Sequence, residues 1–405
     1  MINTYRFAQN LKVNNSLAQR LNNSSYRVIE NKKYQLWENK LRQSHLNVKG
    51  TNYLEGSVGL KLPEHIQMQY NVLVRNSLGK YPDTATHLND PIKHYLSSRN
   101  INSDNCSVQV VSGGLSAALT LNFEIQHQNL GQLTLLLAGG PYHFSPTAGM
   151  AISTRPGSKF YTTNKECLNG FNHTLEQLKE ENITPNSIML NIPNNPTGKI
   201  DIDLLKGTIN YCSVTHTPLT IDACYDDFIF NTQTQASYEQ LLSKALNQQK
   251  FDFIYAKSFS KLLAPDPRAG FLVSNNDSLV SQFKNHITFS QAGITKPAQV
   301  ALELALHHRK FLIVSKKMII QENKSELEKL VNQTYKLDGG YYLRLPTSPK
   351  FFQNATALNL AFHPADDFII KDASQPKDES FARIPLLTGK EHFKAMITDI
   401  KQCLN

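Results

Sequence analysis

Apolar residues in this chain gather in short runs: "VQVV" at 108, "LTLLLA" at 133, "SIMLNI" at 187, "LTID" at 219, "FIYA" at 253 and "GFLVS" at 270. Most of the runs end in a cluster of Gly, Pro, Asn or Ser, and longer polar stretches with helical spacing separate them. Runs this short and this apolar predict strands buried on both faces. Their alternation with helices predicts an α/β domain around a largely parallel sheet.

The pattern changes at both ends. Residues 1 to about 50 are rich in Asn, Gln and Lys, and "RVIENKKYQLWENKLRQSHL" has the spacing of one helix. From 295 to 330 the apolar positions of "AQVALELALHHRKFLIVSKKMII" are dense enough for a long helix buried on more than one side. Beyond it, "GGYYLRL", "ALNLAF" and "FARIPLL" predict three short strands. The chain therefore divides into an N-terminal segment, 1–50, serving as an arm or lid of the small domain; a large domain, 51–295; and a smaller α+β domain, 296–405. It has no internal repeat, low-complexity tract or flexible linker.

Composition removes whole classes of function. The chain has 405 residues, 40% apolar and 19% charged, the profile of a soluble globular protein. Its 42 Lys plus Arg against 33 Asp plus Glu give a net charge of +9, but the basic residues are scattered, so no nucleic-acid partner is expected. Cys106, Cys167, Cys212, Cys224 and Cys403 lack the paired spacing of a zinc or redox motif and are expected to be reduced thiols. The opening "MINTYRFAQNLKVNN" lacks the apolar core of a signal peptide, and "LTLLLAGG" is too short to span a bilayer. A cytoplasmic protein with no membrane partner is expected.

In open α/β sheets ligands bind at the carboxyl ends of the strands, so the residues ending these runs are the candidates for chemistry. After "VQVV" comes "SGGLSAALTLNF", a glycine turn opening a helix, which can offer backbone N–H groups to a phosphate or can serve turn geometry alone. "PNNPTG" holds Asn194 and Asn195 in a proline-fixed turn. Asp222 and Tyr225 follow "LTI", and a buried acid there needs a cation or a hydrogen-bond donor. "FIYAKSFSKLLAPDPR" supplies Ser258, Ser260, Lys261 and Arg268, and a lysine brought out of bulk water can act on a carbonyl. An anion-binding turn, an asparagine, an acid with a tyrosine, and a lysine flanked by phosphate-type ligands together match pyridoxal 5'-phosphate.

The ordered set "PNNPTG", "DACY", "SFSKLLAPDPR" and "FARI" resembles the fold-type I pyridoxal-phosphate enzymes, in particular the class I/II aminotransferases, from about residue 52 to the end. The resemblance implies a large domain with a mostly parallel, seven-stranded sheet flanked by helices. It also implies that Lys261 forms the Schiff base with the cofactor and that Asp222 pairs with the pyridine nitrogen. Asn195 and Tyr225 would bind the ring's phenolic oxygen, and Asn195 would also face the substrate. Gly114, Leu115, Ser116, Ser258 and Arg268 would hold the phosphate. Tyr142 in "GGPYHF" matches the aromatic that stacks on the ring, with core packing as its alternative. Tyr81 in "GKYPDTATHL" matches the tyrosine that reaches the neighbouring subunit's phosphate, which implies a homodimer with active sites at the interface. Arg383 matches the arginine that pairs with the substrate α-carboxylate. The sequence departs from the family at Asp266 and Pro267, where Gly and an aliphatic residue often precede the phosphate arginine.

The implied activity is transfer of an α-amino group from an amino acid to a 2-keto acid. The same residues would also serve β/γ-elimination or replacement, cyclisation or oxidation of an amino acid. A non-catalytic descendant acting as a regulator is a third reading, and the intact set of Lys261, Asp222, Asn195, Tyr225 and Arg383 argues against it.

Overall fold

In the computed structural model, residues 26–28, 51–53, 60–139 apart from 78, 157–263 apart from 164 and 166, 268–364 and 380–404 are described. Eight strands form the main sheet: β1 (Tyr26–Val28), β3 (Ser107–Ser112), β4 (Thr134–Ala138), β5 (Lys159–Thr163), β6 (Ser187–Asn191), β7 (Leu219–Asp222), β8 (Phe253–Ser258) and β9 (Ala269–Ser274). Their order is β1-β5-β4-β6-β7-β8-β9-β3. Strands β5, β4, β6, β7 and β8 run parallel. β9 is antiparallel to both of its neighbours, so β3 runs in the direction of β8.

These seven strands make the mostly parallel sheet that the apolar runs predict, and β1 adds an antiparallel edge beside β5. The pattern missed β5, whose "KFYTT" mixes a lysine and two threonines into a buried strand. β6, β7, β8 and β9 are buried along their whole length, as strands covered on both faces must be.

Helices cover the sheet: α1 (Glu64–Asn76), α2 (Asn89–Ser97), α3 (Gly114–Leu130), α4 (Leu168–Glu180), α5 (Ile202–Thr215), α6 (Thr232–Asn247) and α7 (Asp277–Gln291). Three of them start on a side-chain cap: Asp201 accepts from the Leu204 N–H, Asn231 from Thr234 and Asn276 from Leu279. α3 starts on Gly113 at φ 94° with no side-chain cap.

The helix expected over 295–330 is two, α8 (Lys296–His307) and α9 (Arg309–Val331), joined at His308. α8 is buried around most of its circumference; α9 exposes Phe311, Val314 and Met318, so dense apolar spacing overstated its burial. The three C-terminal runs do contain strands. β10 (Tyr342–Pro346), β13 (Phe381–Pro385) and β12 (His363–Pro364) form one antiparallel sheet in the order β10-β13-β12. β11 (Leu360–Ala361) instead pairs in parallel with β2 (Thr51–Asn52). α10 (Pro349–Ala357) and α11 (Lys390–Leu404) pack together beside them. Of the expected N-terminal helix, Arg27 and Val28 lie in β1, where pairing with β5 overrides local helical spacing; the remainder lies outside the described residues.

Candidate active site

Because β3, β6, β7 and β8 share a direction, their carboxyl ends open on one edge of the sheet, and the candidate residues gather there. Asp222 is the last residue of β7 and stands opposite Asn191, the last of β6. It is buried, and its Oδ1 accepts from the Cys224 N–H at 3.0 Å. Burial, reinforced by the Asp222 charge, pushes the Cys224 thiol up to about 12, so it stays protonated.

The turn after β6, which contains a cis Ile192–Pro193 bond, is fixed by the Asn195 N–H donating to Asn191 Oδ1 at 2.8 Å. The Asn195 side chain is shared between two candidates. Its Nδ2 donates to the Tyr225 hydroxyl at 3.1 Å, and its Oδ1 accepts from Arg383 Nη1 at 3.2 Å. Residues nearly two hundred apart in sequence are thus linked through one buried amide. Burial raises the Tyr225 phenol well above the ordinary tyrosine range, with Tyr342 beside it adding to the effect.

Two buried serines form a cradle against α3. Ser258 Oγ lies 2.8 Å from Ser260 Oγ and accepts from the Ser260 N–H at 3.1 Å. Gly114, at φ 67°, faces both: a Cβ there would lie 3.4 Å from Ser258 Oγ and 3.5 Å from Ser260 Oγ. Gly114 opens the first turn of α3, which continues through Leu115 and Ser116. Arg268 adds an exposed guanidinium whose Nη2 donates to Gly113 O at 3.2 Å. Backbone N–H groups at the start of a helix, hydroxyls and a guanidinium are the donors an anion needs.

Lys261 is half-buried, with its ammonium 6.0 Å from the centroid of the Tyr341 ring. Lys316 on α9 donates to the Lys261 carbonyl at 3.0 Å, and burial together with the Lys261 charge pushes the Lys316 amine down to about 8. Lys257, by contrast, is the penultimate residue of β8 and is fully buried, with its ammonium between Asp226 and Asp227.

Tyr81 is 92% exposed. Its loop is fixed through Asp83, which accepts from the Ala85 N–H at 2.7 Å and from Gln299 Nε2 at 3.0 Å. Tyr142, Asp266 and Pro267 lie outside the described residues. Sequence reasoning did not single out Tyr341 and Tyr342, which contact Tyr225 edge-on with ring centroids 5.4 and 5.8 Å away. The "GGYYLRL" run signals a strand, and nothing in its spacing separates site aromatics from core aromatics.

The family model for class I and II aminotransferases matches residues 50–361. The chain belongs to the class I and II aminotransferase family. Aminotransferases are enzymes that act on amino and keto acids, and this family works with pyridoxal phosphate. Solved aminotransferases share the fold. An aminotransferase of Neisseria meningitidis is 18% identical, with a TM-score of 0.73 over 91% of this chain and 97% of that one. An aspartate aminotransferase of Thermotoga maritima is 18% identical, with a TM-score of 0.66 over 91% and 96%. An aromatic aminotransferase of Pyrococcus horikoshii is 17% identical, with a TM-score of 0.68 over 91% and 98%. Among curated proteins, none matches the sequence. Among the described residues, no helix is long and apolar enough to cross a membrane, and no group of His, Cys, Asp and Glu could hold a metal ion.

Proposed function

We propose that this chain is a pyridoxal-phosphate-dependent aminotransferase that moves the α-amino group of an amino acid to a 2-keto acid, with Lys261 holding the cofactor covalently. The observation that carries this reading is the convergence of Lys261, Asp222, the Tyr225–Asn195–Arg383 chain and the Gly114–Ser258–Ser260 cradle on one edge of the sheet. The cradle fits a phosphate in particular, because a side chain at Gly114 would fill the space beside both hydroxyls.

Bound there, the cofactor supplies an electron sink for the bond that breaks at the substrate Cα. The chain's residues do the rest. Gly114, Leu115, Ser116, Ser258 and Arg268 hold the phosphate. Asp222 keeps a proton on the ring nitrogen, since its buried carboxylate favours a cation beside it. Asn195 and Tyr225 donate to the phenolic oxygen, and Tyr142 stacks on the ring. Arg383 pairs with the α-carboxylate, a planar task suited to guanidinium. Once the substrate amine has taken its place, the freed Lys261 Nζ would take the proton from the substrate Cα and return it to the carbon on the far side of the amino nitrogen.

Tyr81, held outward on a fixed loop, reaches the phosphate of a second copy, so the active unit is a homodimer with its sites at the interface. The chain divides into an N-terminal segment to residue 50, a large domain to 295 and a small domain beyond, and the protein works in the cytoplasm.

The test is a half-reaction with one amino acid and no acceptor. Transamination yields about one keto acid per site, stops, and resumes when a second keto acid is added. Continuous product or ammonia release without an acceptor would instead establish elimination, replacement, cyclisation or oxidation.

A further inference from the structure

Arg383 occupies the central strand of the small antiparallel sheet, directly opposite Arg344 on β10 and His363 on β12. Directly opposite residues share a face, so two guanidiniums start side by side, an arrangement that is repulsive. They separate along the ladder in opposite directions. The Arg383 guanidinium carbon lies 4.1 Å from the centroid of Tyr342, and that of Arg344 lies 4.8 Å from Phe381. Tyr342 pairs with Pro385 and Phe381 with Pro346, so each ring is the diagonal neighbour of its arginine on the same face. The end toward which Arg383 turns is the one that carries Asn195 and Tyr225.

We propose that Tyr342 is a positioning residue that fixes the plane of the Arg383 guanidinium, with Arg344 opposite it closing off the alternative direction, so that Arg383 presents a fixed fork to the α-carboxylate. This rests on the reading of Arg383 as the carboxylate ligand. The ring covers one face of the guanidinium at 4.1 Å, and Asn195 Oδ1 holds Nη1 at 3.2 Å. A guanidinium held on a face and at one nitrogen has a defined plane, and bidentate pairing needs that plane. The Tyr342 hydroxyl takes no part in this: it donates to the Tyr341 hydroxyl at 3.2 Å. The aromatic face is the functional element.

The probe is 2-methylalanine, which has an α-carboxylate and no α-proton, titrated into the cofactor-loaded protein and followed by the visible spectrum. Tyr342→Phe keeps the face and should bind within about twofold of wild type, whereas Tyr342→Leu should weaken binding about tenfold. Tyr342→Leu should also erode the preference for 2-methylalanine over its carboxamide, which a loss of general packing leaves intact, and its spectrum without probe should be unchanged. Tyr342→Met, of similar length, carries the same expectation if the leucine variant melts early. In an Arg383→Lys background, where the planar fork is gone, Tyr342→Leu should add less than about threefold. Unchanged binding and acid preference in Tyr342→Leu or Tyr342→Met, alongside a weakened Arg383→Lys, overturn the proposal and leave the reading of Arg383 standing. Unchanged binding in Arg383→Lys removes that reading and the proposal with it. An equal loss in Tyr342→Phe and Tyr342→Leu also overturns it, since the hydroxyl would then be what matters.

Discussion

Lys257 and Lys261 lie four residues apart in the same segment, and the structure gives them opposite surroundings. Lys257, inside β8, is fully buried with its ammonium between two carboxylates, 2.8 Å from Asp227 Oδ2 and in close contact with Asp226. The same cluster takes in Arg99, whose Nη1 donates to Asp226 Oδ2 and Nε to Glu239 Oε1, each at 3.0 Å, and the hydroxyl of Tyr95, which donates to Asp227 at 2.7 Å. Tyr255 donates to Asp226 at 2.8 Å. Lys261, past the end of β8, has an aromatic ring beside it and a half-exposed side chain.

The difference gives one segment two separate kinds of lysine, one held in a buried ion-pair cluster and one left open at the edge of the sheet. Lys257 fastens the Ala223–Asp227 turn to β8, donating also to Ala223 O at 3.3 Å, and that turn follows Asp222 directly and carries Tyr225. Burial works against the charge of Lys257, but Asp226 and Asp227 outweigh it and hold the ammonium above the ordinary lysine range. An amine held charged by two buried acids cannot act as a nucleophile or base. Lys261 carries no such pair among the described residues.

Substitution should separate the two. Lys261→Ala should lose activity by more than about 10³-fold, since a proton-transfer group alone contributes about 10²–10⁴. Its denaturant midpoint should stay close to that of wild type. Lys257→Met should do the reverse, losing about 3–5 kcal/mol of stability because Asp226 and Asp227 keep buried charge with less compensation. A folded Lys257→Met protein that still binds cofactor would sharpen the contrast; an inactive but fully stable one would break it.

Asp222→Asn should retain cofactor yet lose about 10²–10³-fold in rate, because a neutral amide no longer holds the ring proton by charge. Near-normal kcat would give the ring nitrogen another partner.

The cluster also sets a pH dependence. Burial raises the Asp227 carboxyl, but Lys257, Arg99 and the Tyr95 hydroxyl more than reverse this and leave it below the ordinary range. Its contribution is therefore present above the unfolded value of about 3.9 and lost as pH falls through the lower folded value. The Lys257 value is raised, so its contribution is complete below the unfolded value of about 10.4 and lost only as pH rises through the folded one. Stability should thus be flat across this window and fall on both sides, as read by urea unfolding at each pH. In Lys257→Met the alkaline fall attributable to this amine should vanish.

The smallest effect is expected at Tyr81, where Phe removes one hydroxyl and should weaken cofactor retention by about tenfold or less. Dialysis against buffer, followed by absorbance, reads it; an active monomer in sedimentation would refute the role in a second subunit.

Much of the fold was legible because strands buried on both faces are mostly apolar, as "VQVV", "SIMLNI" and "FIYA" are despite Gln109, Ser187 and Asn191. β5 was missed for the converse reason: its threonines are buried in a strand without being apolar. The two helices of 295–330 read as one because periodicity continues across His308. At the candidate site, short spacings and motif order singled out Lys261, Ser258, Asp222 and Asn195 as candidates. The contacts of Lys257 and Tyr342 were not legible: one depends on a turn from another strand, the other on a diagonal across two strands distant in sequence. Local pattern carries no information about such contacts.

The contrast between the two lysines is tested most directly by reducing the cofactor-loaded protein with borohydride and mapping the labelled peptide. The account predicts the label on Lys261 and an unmodified Lys257; a label on Lys257 would contradict it.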